Sequence, residues 1–112
     1  MKIEQVQKLS NEKLRIKVAE LDGWEGRLVT VSGSKKPILL WFNSKRNAAN
    51  RESPPDYTHD LNAMHEAEKT ITDVFVRRRY YQTLDQLTGD QWNTIVSTAR
   101  QRTEAFVVVM SE

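Results

Sequence analysis

Between Pro54 and Lys69 the chain concentrates ionisable groups: Asp56, His59, Asp60, Asn62, His65, Glu66 and Glu68 fall within a few turns of one another. These are the side chains that hold divalent metals or pass protons. A helical zinc site needs two histidines four apart with a glutamate between them. His59 and His65 are six apart, about 600° of rotation at roughly 100° per residue, so they leave a helix on different faces. No metal site is expected. Asp56 and Asp60 share a face and could act as an acid–base pair, or hydrolytically with His59. Capping of a helix start and complementarity to its dipole explain both carboxylates at less cost.

A second group of residues could grip phosphates and stack on flat rings. Arg77, Arg78 and Arg79 run directly into Tyr80 and Tyr81, mixing guanidinium with aromatic surface. Three adjacent arginines on a helix cannot all point one way. Trp24, in the turn Gly23-Trp24-Glu25-Gly26, is either a stacking platform or a core plug. Tyr57 either fixes a helix entry or lines a pocket. Arg100 and Arg102 sit near the start of the last helix, where free amides also favour anions, and Arg102 can equally pair with acidic neighbours. The candidate ligand-binding set is therefore Trp24, Tyr57, Arg77, Arg78, Tyr81, Arg100 and Arg102. No serine stands in a nucleophile-elbow context, and four glycines form no phosphate loop. The expectation is a protein that is not an enzyme, with no catalytic residues and no cofactor.

The elements that must position these residues follow from periodicity. Ser10 or Asn11 can cap a helix through Asp22 that buries Leu14, Val18 and Leu21 or Ala19, with Gly23 placed to end it. Met1 to Leu9 reads as an extra turn or two, or as a flexible arm. Leu28–Ser32 and Ile38–Phe42 read as a hairpin around a Gly33-to-Pro37 turn, the second strand apolar on both faces as when helices cover a sheet on both sides. Asn43 to Pro55 is polar and reads as a mobile loop, either a lid or a contact loop. Pro54-Pro55 ends it, and Asp56 or Thr58 can start a helix with the stripe Tyr57, Leu61, Met64 and Ile71. A third helix spans about Asp73 to Leu87, closed by Gly89, with Val76, Tyr80, Leu84 and Leu87 inward. Gln91–Ser97 alternates as a further strand. Thr98 and Gln101 form a capping box for a last helix burying Ala105, Phe106, Val109 and Met110.

Composition bounds the rest. A chain of 112 residues fits one domain, since two would each be too small to bury a core without disulfides or metals. Seventeen basic against 15 acidic residues give a net charge of +2, too balanced for a general nucleic-acid coat. Cysteine is absent, which excludes disulfides, thiolate metal sites and a cysteine nucleophile. The longest apolar runs fall far short of a membrane span, and the start does not look like a signal peptide.

Three blocks carry a family resemblance: Glu12 to Trp24, Pro55 to Lys69, and Ser97 to Phe106. Together they resemble the phage ABA sandwich domain family, small proteins of tailed bacteriophages. Asp56-Tyr57-x-x-Asp60-Leu61-Asn62-Ala63-Met64 is the specific part, and the chain departs in the short basic segment Phe75 to Gln82 and a brief sheet. The resemblance implies an α+β fold, a small antiparallel sheet with helices packed on both faces, in a single domain spanning residues 1–112. It implies no reaction, because architecture does not fix function.

The expectation that follows is a bacteriophage accessory protein in the cytoplasm of the infected host. Its sharper form is a counter-defence sponge that sequesters a nucleotide-derived immune signal of the cyclic ADP-ribose type, with oligomerisation deepening the pocket. The alternative is a DNA-, RNA- or host-protein-binding regulator that uses the Arg77 to Tyr81 helix. A small hydrolase built on Asp56, Asp60 or His59 ranks third, and no membrane partner is expected.

Overall fold

Helix caps set most of the boundaries in the computed structural model, which describes residues 1–30, 32–33, 36–43, 48–51, 53–89 and 97–112. The Ser10 hydroxyl accepts from the Lys13 amide at 3.2 Å and opens α2, Asn11–Leu21. Gly23, at φ 97°, lets the chain reverse after it. Before it lies α1, Ile3–Gln7, whose Val6 is fully buried, so residues 1–9 are packed turns. Asp60 caps α3, Leu61–Glu68, and Asp73 caps α4, Val74–Thr88, each accepting two amides at the helix start. The Thr98–Gln101 box opens α5, Ala99–Met110.

α5 is the axis of the core. Residues Thr103 to Val109 are all buried, a helix covered all round, and α1, α2, α3 and α4 pack against it. Leu14, Val18 and Ala19 of α2, Met64 and Ala67 of α3, and Tyr80 and Leu84 of α4 complete the cluster. Val76, Leu87 and Met110 are only partly buried and pack on its edge.

The chain is α+β, with a small antiparallel sheet set among the helices. Its order is β1 (Trp24–Val29), β2 (Ile38–Asn43), β3 (Ala48–Arg51). β1 pairs with β2 from Trp24↔Asn43 to Val29↔Ile38 without a register break. The first strand thus begins four residues before the expected Leu28, because Gly26 is tolerated inside it. A Cβ at Gly26 would lie 3.3 Å from both Leu39 Cδ1 and the Trp41 indole, so these side chains cover the space a glycine leaves. β3 occupies part of what reads as a loop from Asn43 to Pro55, pairing Trp41↔Arg51 and Asn43↔Ala48 across an irregularity in β2. The strand expected over Gln91–Ser97 lies outside the described residues, apart from Ser97.

Cover over the sheet is uneven along its length. Trp24 and Asn43, at the inner end, are buried. Leu28, Ile38 and Leu39, at the far end, stay 72%, 41% and 47% exposed. The apolar second strand predicts helices over its whole length, and among the described residues none closes over Ile38 and Leu39. The protein is accordingly long, 54 × 27 × 23 Å.

Candidate functional site

The polar block that dominates the sequence is spent on architecture. The helix begins at Leu61, later than Pro54-Pro55 suggests, because Asp60 is the residue whose Oδ1 meets the Asn62 and Ala63 amides, at 2.9 and 3.4 Å. Asp56 instead closes the turn before it, its carbonyl accepting from the His59 and Asp60 amides. Leu61 consequently faces outward, while Tyr57, Met64 and Ile71 are buried as their stripe predicts.

Asp56, Thr58 and His59 form a triangle that resembles a hydrolytic relay in composition. Thr58 Oγ1 lies 3.0 Å from His59 Nδ1, and Asp56 Oδ1 lies 3.1 Å from that same nitrogen and 3.2 Å from the hydroxyl. A relay needs the hydroxyl and the carboxylate on opposite ring nitrogens, so that one takes the proton while the other holds the tautomer. Here both compete for Nδ1. The hydrogen bond from His59 holds the Asp56 carboxyl below its ordinary value, which suits a turn clasp. His65 faces Glu68 at 3.6 Å, Lys69 pairs with Glu66 at 2.8 Å, and no metal-binding group of three occurs among the described residues.

Four of the seven candidate binding residues lie within the framework. Tyr57 is buried, and its hydroxyl donates to Asp22 Oδ2 at 3.0 Å; the Asn43 amide donates to the Asp22 carbonyl at 3.1 Å. This node joins the end of α2, the end of β2 and the turn before α3. Trp24 is buried beside it as a core plug, with its indole Nε1 making no hydrogen bond. Arg100 spreads its guanidinium over the α1–α2 junction, reaching the Leu9 carbonyl at 2.7 Å, the Asn11 side chain at 2.5 Å and Glu104 at 3.4 Å. Arg102 binds Glu68. Their contacts among the described residues spread them over the α2–sheet node, the α1–α2 junction and α3, and anion contacts at Arg100 and Arg102 would compete with the bonds that hold the helices.

The remaining three sit together on α4. Arg77, Arg78 and Tyr81 are exposed, and they border Val74 and Phe75, which are 68% and 74% exposed. Arg77 donates to the Ile71 carbonyl at 2.9 Å, and Arg79 pairs with Glu112 at 3.2 Å. Arg78 makes no ion pair or hydrogen bond among the described residues. Val74, Phe75, Arg78, Tyr81 and Gln82 follow the i, i+1, i+4, i+7, i+8 pattern of one helix face. It is a second face, aromatic and aliphatic around Arg78, opposite the one that packs on α5. Sequence reasoning found its arginines and Tyr81 but missed Val74 and Phe75. The signal was available: Phe75 lies about 140° around the helix from Tyr80 at roughly 100° per residue, too far to join the inward stripe.

A small groove between α2 and the end of α5, about 170 Å³, is lined by Lys17, Glu20, Leu21, Val107 and Ser111. It contains none of the candidate residues and is smaller than the roughly 300 Å³ at which pockets for drug-sized ligands begin. The chain matches no protein-family model, no curated protein and no solved structure. The α4 surface is what the geometry itself offers.

Proposed function

We propose that this chain is a non-enzymatic binding protein that docks a partner protein through the outward face of α4, within the bacteriophage accessory class its sequence resembles. The observation that carries the reading is the exposure of Phe75 and Tyr81 on either side of Arg78, a guanidinium with no partner among the described residues. Aromatic residues with arginine are the groups enriched at the centres of protein interfaces. The partner surface is an apolar groove bordered by carboxylates, which complements Val74, Phe75 and the three arginines.

Two other readings have less support. A nucleotide sponge needs Trp24, Tyr57, Arg100 and Arg102 to converge with the α4 residues, and their polar bonds or burial hold them in the framework. Nucleic-acid binding draws on several free cations, whereas Arg77 and Arg79 already have contacts and the net charge is only +2.

A photo-crosslinking residue at the exposed Gln82 position, in the full chain expressed in infected bacterial cells, tests the proposal. One host or phage protein should be captured there and not from a control position on α2 such as Lys13. With that protein purified, Phe75→Ala and Arg78→Glu should each weaken binding about tenfold or more while leaving folding intact. Salt-sensitive binding of single-stranded DNA or RNA, lost in Arg78→Glu, would replace it with the nucleic-acid reading. A melting shift with cyclic nucleotide signals would restore the sponge.

A further inference from the structure

The sheet carries a second surface, away from α4. β1 is an edge strand: β2 pairs with one side of it, and no described strand pairs with the other. It runs six residues with no proline and no bulge. Such edges are templates for another strand, and proteins commonly guard them with charge. The charges here are Glu25 and Arg27, two residues apart on one face, both exposed and paired at 2.9 Å, with Arg27 also resting on the Phe42 ring. On the other face lie Trp24, Gly26 and Leu28.

We propose that β1 pairs antiparallel with β1 of a second copy, about a two-fold axis through Gly26. A two-fold normal to the sheet keeps every residue on its own face, so residue numbers facing each other must sum to an even value. Centring on Glu25 sets glutamate against glutamate, and centring on Arg27 sets arginine against arginine, both unfavourable across strands. Centring on Gly26 sets Glu25 against Arg27 of the second copy, twice by symmetry. The same register sets the exposed Leu28 against Trp24 of the other chain. Charges that guard the edge against unlike strands are thereby complementary to the strand's own copy.

Leu28 of β1, 72% exposed, is the apolar side chain that this pairing brings against the second copy. The joined sheet would have six strands, with the α4 surfaces left free.

Sedimentation equilibrium of the full chain from micromolar to millimolar concentration should show a monomer–dimer equilibrium. Glu25→Arg creates two arginine–arginine pairs and leaves Arg27 on Phe42, and it should raise the dissociation constant about tenfold or more. The double variant Glu25→Arg with Arg27→Glu restores both pairs and should return the constant to the original range. Circular dichroism and melting confirm that each variant folds. A monomer at every concentration overturns the proposal, a dimer indifferent to Glu25→Arg overturns the strand, and failure of the double variant to recover overturns the register.

Discussion

Arg102 donates from Nη1 to both carboxylate oxygens of Glu68, each at 3.1 Å, and so fastens α5 to α3 in a contact almost closed to solvent. Tyr80 is buried nearby, and burial, reinforced by the Glu68 charge and only partly opposed by Arg102, pushes its pKa far up. Arg102→Met takes the guanidinium from the mostly buried Glu68 and leaves it His65, at 3.6 Å, as a basic neighbour, which should cost about 3 kcal/mol by urea unfolding. Replacing Glu68 by Gln at the same time should recover a large part of that loss. A double-mutant cycle reads the coupling, expected above about 1 kcal/mol.

Glu104 gives the fold a pH dependence of known sign. Burial raises its pKa above the ordinary glutamate value, and Arg100 at 3.4 Å only partly opposes the shift. The folded state therefore holds the proton more tightly than the unfolded chain. The contribution of this group is complete below the ordinary glutamate pKa and is lost as pH rises through the raised value. Glu104→Gln removes the dependence. Its stability relative to the native protein should increase from acid to neutral pH in denaturation curves taken across that interval.

Gly89 ends α4 at φ 83°, its amide donating to the Asp85 carbonyl at 2.8 Å. A Cβ there would meet no atom of the described residues within 4 Å, so the cost of substitution is that of the backbone conformation. Gly89→Ala should lower stability by about 1 kcal/mol, the cost of a left-handed conformation for an L-residue. Gly89→Asn should lose less, because asparagine adopts that region more readily. Thermal melts of the two variants separate this cause from a packing defect, which would penalise asparagine more.

Local signals of this kind are what made the fold readable. Ser10, Thr98 with Gln101, Gly23 and Gly89 act within a few residues of themselves, and each marks a boundary the structure keeps. Where a distant partner decides, the reading slipped. Gly26 resembles a turn until Trp41 and Leu39, on the neighbouring strand, are seen to cover it. Asn43 to Pro55 resembles a loop until β2 offers an edge to Ala48–Arg51. The candidate binding residues are dispersed for the same reason. Arg100 and Arg102 have the chemistry for anions, but Leu9, Asn11 and Glu68, distant in sequence, take their donors.

Phe75 separates a binding surface from a structural one. Its side chain is mostly in water at the start of α4, while Phe106, on α5, is fully buried. Burial of an aromatic ring is what stabilises a core, so Phe106→Ala should cost about 3 to 5 kcal/mol. Phe75→Ser removes little packing and should change stability by no more than about 0.5 kcal/mol. If the outward face of α4 binds a partner, the same substitution should weaken that binding about tenfold or more, because an exposed aromatic beside Arg78 becomes buried only in the complex. Urea unfolding of the free protein and titration calorimetry with the crosslinked partner measure the two effects independently. A Phe75→Ser protein that loses several kcal/mol would place the ring in the core, and one that binds undiminished would remove α4 as the docking face.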